Sequence, residues 1–251
     1  MNTQLSAANA ISLEKELIWF SSVLDTRIAL YFEHDTSESE GEKIYCSIED
    51  IPLPDLSNDD SAYGSIVSEL GLEFDERILL ALTLVPHIRP DLLDLLFTRN
   101  KNFDRGFTQF GGWKGESHGG FIPTCETAAF IIAGNDLSKR FKLLSYFEGD
   151  GILIKNSILT LEHKSSGEPF MSAAVRISSE YLNRLTSGVY QKPDYSMNFP
   201  AKLITTKLTW DDLILPMEVR EEIENIVTWI KNSRVILEDW GLDKVIKPGY
   251  R

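Results

Sequence analysis

A mainly helical α+β fold is what this 251-residue sequence predicts, and three observations predict it. Apolar residues recur at three- and four-residue steps from Ile11 to Phe32. Further helical patterns, punctuated by glycine and proline, run from Ala62 to Phe147. A β-rich stretch with turn composition, "GILIKNSILTLEH" (Gly151 to His163), then interrupts the helices.

The first element is carried by Leu13, Leu17, Phe20, Leu24, Ile28 and Tyr31, one apolar stripe on a long amphipathic helix. The following stretch, "SIEDIPLPDLSNDDSAYG", reads as a connector with at most a short strand near Ile44 to Ser47. Two helices come next. "SAYGSIVSELGL" ends at Gly71, and "EFDERILLALTLVPHIRP" carries Asp75 and Glu76 in its first turn and closes at Pro86. "RPDLLDLLF" supplies a third, started by Pro90 and Asp91. The Gly- and aromatic-rich stretch from Asn100 to Phe121 is too long for a simple turn. "IPTCETAAFIIAG" resumes as a helix between Thr124 and a Gly134 cap, and "DLSKRFKLLSYF" continues as another. The arms around Lys155-Asn156-Ser157 have the composition of a hairpin. Three helices followed by a hairpin is the order of a winged helix, so a variant winged-helix domain with a β-hairpin wing is expected. A helix at "SSEYLNRLTSG", an extended "FPAKLITTKLTW" and two helical segments, "MEVREEIENIVTWIKN" and "SRVILEDWG", complete the chain. Glu218 to Glu224 supply the wet face of the first of these, and Val219, Ile223, Ile226 and Ile230 its dry face. A domain boundary is expected where Pro and polar residues cluster, near Tyr190 to Pro200.

Composition narrows the function classes. With 43% hydrophobic residues the chain can bury a sizeable core, yet runs such as Ile78 to Val85 fall far short of the roughly 20 residues of a membrane span. The N-terminus lacks the pattern of a secretory signal, and the two cysteines, Cys46 and Cys125, have no paired spacing. A cytoplasmic protein without membrane partners is expected. The net charge of −13 repels phosphate backbones and anionic lipid. Between Asp35 and Ala62 nine acidic residues face one lysine, Lys43; this stretch reads as a solvated loop or as a docking strip for a basic partner.

Catalytic patterns fail on chemistry. "GFTQFGGWKGE" (Gly106 to Glu116) is spaced like a phosphate loop, but that loop needs Gly-Lys-Ser/Thr at a helix entry, and here Trp113 follows Gly112 while Gly115 follows Lys114. Its glycines let the chain bend, and its aromatics, Phe103, Phe107, Phe110 and Trp113, either tuck onto the core or present a protein-binding surface. The four histidines, His34, His87, His118 and His163, are too scattered for a metal site, and none is expected. Cys125 reads as a small buried side chain, not a nucleophile. The recognition-helix candidate, Pro123 to Ala133, offers Thr124, Glu126 and Thr127 without one basic residue, so DNA binding by a winged helix is the alternative and protein recognition the favoured role. Lys155 and the Lys139, Arg140, Lys142 cluster are the features that speak for DNA.

The tail is the most specific segment. "KLTWDDLILPMEVREEIENIVTWIKNSRVILEDWGLDKVIKPGYR" carries Trp210, Asp212-Leu213, a helix with Val219 to Ile226, Gly241-Leu242 and Pro248-Gly249 in the order that opens an AAA+ ATPase module, which it resembles. The stretches "NFDRGFTQFGGWKG", "GGFIPTCETAAFIIAGNDLSKRFKLL" and "NFPAKLITTKLTWDDL" extend the likeness. Together they resemble the N-terminal region of bacterial AAA+ ATPases associated with extracellular contractile injection systems, over Leu13 to Arg251. The resemblance implies an N-terminal helix and acidic connector (1–60), a winged-helix-like domain (61–195) and a lead-in to an AAA+ core that stops before Walker A (196–251). It implies no catalytic residues and no cofactor in these residues, with ATP and magnesium used by a hexameric parent enzyme. Asp212, Leu213 and Ile214 would stand on the adenine side; the sequence has Leu213-Ile214-Leu215 where many AAA+ proteins continue with Ile-Gly-Gly. Partners are expected to be proteins, injection-particle components among them.

Overall fold

The computed structural model describes residues 3–32, 46–57, 59–101, 104–115, 117–165, 167–189, 209, 212, 214–236 and 240–241. The chain divides into two units, Met1–Pro193 and Asp194–Arg251. It is mainly helical, with small antiparallel strand pairs.

In the first unit, helix α1 (Thr3–Tyr31) lays its expected stripe into the core. Phe20 and Val23 are fully buried and Leu24 nearly so, while Ile28 and Tyr31 pack on the edge. Helix α2 (Ala62–Leu70) is capped by the Ser61 hydroxyl, which accepts from Gly64 N–H, and ends at Gly71 in the left-handed region, φ 61°. Helix α3 (Phe74–Ile88) is buried without interruption from Arg77 to Val85, which makes it a central helix. It runs two residues past Pro86: proline holds a helical φ, and in the last turn its missing N–H removes one bond without ending the helix. The third expected helix is instead a 3-10 helix, Pro90–Phe97.

The glycine- and aromatic-rich stretch that follows forms two-residue strands. β1 (Arg99–Asn100) pairs with β2 (Arg105–Gly106), and β3 (Trp113–Lys114) pairs with β4 (Phe121–Ile122), all antiparallel. Helix α4 (Cys125–Ala133) is the second central helix, with eight of its nine residues buried. α5 (Leu137–Tyr146) packs on it, its start capped by the Asp136 carboxylate.

The expected hairpin within Gly151 to His163 does not form. Ile152–Lys155 make one helical turn, α6, which ends as Ser157 takes a left-handed φ of 55°. The second arm, β5 (Leu159–Glu162), instead pairs antiparallel with β6 (Ala174–Ile177), in register Leu159↔Ile177 to Glu162↔Ala174. An antiparallel pair therefore does follow the helices, with a different second strand. Helix α7 (Ser179–Leu185) closes the unit.

Polar groups on α1 fasten distant elements. Asn9, fully buried, donates to the carbonyls of Arg184 and Thr186 at 3.1 and 3.3 Å and accepts from Ala62 N–H at 2.8 Å. Arg27 donates to the Ile131 and Ile132 carbonyls at 2.8 and 3.1 Å, satisfying the open end of α4. Glu16 receives a two-pronged bond from Arg77, Nε to Oε1 at 2.9 Å and Nη2 to Oε2 at 2.6 Å, and both side chains are almost wholly buried. Burial works against the Arg77 cation, and the Glu16 carboxylate more than offsets it, so the guanidinium is held above its ordinary range.

The second unit holds helix α8 (Met217–Arg234). On its expected dry face Val219, Ile226 and Ile230 are exposed. Beyond it, Trp240 N–H reaches the Val235 carbonyl at 3.0 Å. The extended segment expected before Trp210 and the strand near Ile44 to Ser47 fall mostly outside the described residues. Among those residues, no helix is long and apolar enough to cross a membrane.

Candidate functional site

The loop from Gly106 to Gly115 is held against the N-terminus of α4, and Thr124 makes the join. The Thr124 hydroxyl accepts Gly112 N–H at 3.1 Å and caps Thr127 N–H, while Thr124 N–H reaches the Thr127 hydroxyl at 3.0 Å. Two glycines allow this approach. Gly111 (φ 61°) leaves no room for a Cβ, which would lie 2.5 Å from Thr124 Oγ1. At Gly112 (φ 82°) it would meet the Phe121 ring. The other side of α4's entry is tied to β6, Cys125 N–H donating to Ala173 at 2.9 Å and Val175 N–H to Pro123 at 3.0 Å.

A groove of about 660 Å³ opens between these layers. Phe107, Trp113, Pro169 and Met171 supply apolar wall, and Thr108, Gln109 and Thr124 the polar points. Its charges are largely matched. Arg140 donates to Glu126 at 2.9 Å and to the Gly134 carbonyl at 2.7 Å, while Lys164 stands 5.1 Å from the Trp113 ring centre. The volume falls within the range of binding clefts. Of the hydroxyls that line it, Thr124 is engaged with Gly112 N–H, and Ser172 donates to the Pro169 carbonyl at 2.6 Å and lies 3.3 Å from Glu168 Oε2, while the thiol of buried Cys125 is pushed up to about 12, chiefly by burial. The arrangement can bind an apolar segment.

The four loop aromatics named from sequence separate. Phe110 is 1% exposed and packs against Tyr31, Phe32 and Phe130, so it is core and presents no surface. Phe107 is half-buried on Tyr31 and Phe32, with one edge in the groove. Trp113 lines the groove, and Phe103 lies outside the described residues. Lys164 and Met171 went unnoticed in the sequence because the loop and the segment after β5 meet only through the β6 tether, and Thr124 was read as a helix start and a recognition-helix residue without its tie to the loop.

Other sequence candidates resolve as follows. Lys114 sits on β3, not at a helix entry, so the phosphate-loop spacing has no phosphate-loop geometry. Among the described residues no group of three or more His, Cys, Asp or Glu could hold a metal. The recognition-helix candidate, α4, has eight of its nine residues buried in its own fold. The basic cluster is neutralised within the chain: Lys139 pairs with Glu49, Arg140 with Glu126 and Lys142 with Asp75. In the second unit Asp212 is exposed and accepts from Thr209 N–H and Oγ1 at 2.7 and 2.9 Å, bonds that hold its carboxyl below the usual range. Ile214 is 96% exposed, and Leu213 lies outside the described residues. Comparison with known proteins finds no match: no family model, no curated protein and no solved structure resembles the chain at a significant level.

Proposed function

We propose that this chain is the non-catalytic, protein-recognising N-terminal region of an AAA+ ATPase that remodels or assembles a phage-tail-like contractile particle. The groove beside Trp113 carries the recognition half of this reading: its wall is largely apolar and it is anchored on a buried helix, which suits an extended segment of a partner protein. The AAA+ half is supported by the order of residues from Trp210 to Pro248-Gly249 and by the winged-helix-like order of helices and antiparallel pair. In the hexameric parent enzyme, ATP and magnesium belong to a core beyond this segment, with Asp212, Leu213 and Ile214 contributing to the adenine side.

The test uses the complete ATPase and purified tail and sheath components. Wild type retains a component in a pull-down, Trp113→Ala loses it while keeping its ATPase rate, and the 251-residue chain alone turns over no ATP. Retention unchanged after deletion of everything before Pro200 would sink the recognition role. ATP hydrolysis by the chain alone, abolished by a substitution within it, would sink the division of labour.

A further inference from the structure

The Trp113 groove holds a cation that its own fold leaves without a counter-charge. Of the other charged side chains that line it, Glu126 is bound by Arg140 at 2.9 Å, and the exposed Glu168 lies 3.3 Å from the Ser172 hydroxyl. Lys164 makes no ion pair among the described residues; its ammonium stands 5.1 Å from the centre of the Trp113 ring, in a groove whose wall includes Pro169 and Met171. We infer that Lys164 receives the C-terminal carboxylate of a partner protein whose last residue is apolar, an inference that rests on reading the groove as a protein-recognition site.

A phosphate needs a ring of donors, and the glycine loop does not supply one. Gly111 N–H is spent on the Thr108 carbonyl at 3.2 Å and Gly112 N–H on the Thr124 hydroxyl at 3.1 Å. A carboxylate, with one charge and two oxygens, asks for less. The Trp113 ring takes one side of the ammonium and leaves its other N–H groups open. The Trp113 indole N–H makes no hydrogen bond among the described residues, and the Gln109 amide, which reaches Asn135 Oδ1 at 2.9 Å, keeps a second N–H. At a chain end the carboxylate and the last side chain branch from one carbon, so a single residue meets the Lys164 cation and the apolar wall beside it. An aspartate or glutamate has no apolar side chain of its own to lay there. The chain's −13 charge works against anions at long range, so the residues ahead of that end are expected to be neutral or basic.

The test is selection of a random peptide library with free C-termini on the full chain, followed by synthesis of the consensus peptide with a free and with an amidated end. The consensus is expected to finish on an apolar residue. Amidation should weaken binding about tenfold, Lys164→Met should weaken binding of the free peptide by a similar factor, and Lys164→Arg should bind it nearly as wild type does. Added salt weakens binding of the free peptide to wild type and has little effect on Lys164→Met. Lys164 is exposed, so Lys164→Met is expected to keep the wild-type melting temperature. Equal binding of the amidated peptide, no loss in Lys164→Met, or a consensus without a fixed apolar last residue, with Trp113→Ala still ending binding, would overturn the inference and leave the groove a protein-recognition site. No enriched peptide, or peptides that bind Trp113→Ala as well as wild type, would overturn both.

Discussion

Replacing Arg77 with methionine removes the cation from a pair that sits almost entirely out of water, with side-chain exposures of 6% for Arg77 and 1% for Glu16. Three donor contacts are lost: two to Glu16 and one from Nη2 to the Pro54 carbonyl at 3.1 Å. The fully buried Tyr63 hydroxyl lies beside the pair, and as a neutral donor it cannot replace the charge of the guanidinium. Breaking a buried pair by removing one member costs about 3–5 kcal/mol, since the remaining charge is stranded. That is a large share of the roughly 5–15 kcal/mol that holds a domain together. In urea titrations followed by tryptophan fluorescence, the midpoint of Arg77→Met should fall by about 2 M at a slope near 2 kcal/mol per M. The double variant Glu16→Leu/Arg77→Met removes both desolvated charges and should recover to within about 1 kcal/mol of wild type, the residue reflecting the Pro54 carbonyl. A single-variant loss below about 1 kcal/mol, or a double variant as unstable as the sum of the singles, would refute the idea that stranded charge dominates here.

Gly112→Ala should cost about 2–4 kcal/mol, because φ is 82° and the new Cβ would sit 2.0 Å from Phe121 Cζ, whereas Gly119→Ala, with open space around it, stays within about 0.5 kcal/mol of wild type in the same titration. Phe110→Ala should lose about 3–5 kcal/mol as a core deletion, while Trp113→Ala leaves the melting temperature nearly unchanged and acts on partner binding instead. Burial favours protonation of Glu49, but hydrogen bonds from Lys139 and Ser47 outweigh it and hold the carboxyl down to about 2 against an ordinary 4.5. The stability difference between wild type and Glu49→Gln should therefore be constant above about pH 5, shrink as pH falls through 4.5 toward 2, and stay below about 1 kcal/mol because the pair is half-exposed; a difference that grows on acidification would contradict this.

Helices were legible where one face repeats at helical spacing. Leu13, Leu17, Phe20 and Leu24 went to the core as the period required, and Gly71 and Gly134 cap the helices they were expected to end. Asn9 and Glu16 were illegible on that same helix, because a polar residue becomes a core residue only when a partner far along the chain supplies its bonds. The strand pair was missed for a related reason. Composition placed a turn at Lys155-Asn156-Ser157, and a turn is there, but the partner of Leu159–Glu162 is Ala174–Ile177 across an intervening loop, a choice local pattern cannot make. The groove was half legible: Gly111, Gly112 and Trp113 mark a bend with an aromatic, while the burial of Phe110 depends on Tyr31 and Phe130.

The side chain of Asn9 has an architectural effect out of proportion to its size. By clasping the amide that opens α2 and two carbonyls at the end of α7, it makes the beginning and the finish of the first unit mutually dependent. A protease nick or trimming within Thr3–Asn9 would be felt near Thr186, so the two extremities should loosen together, with no stepwise fraying from one side.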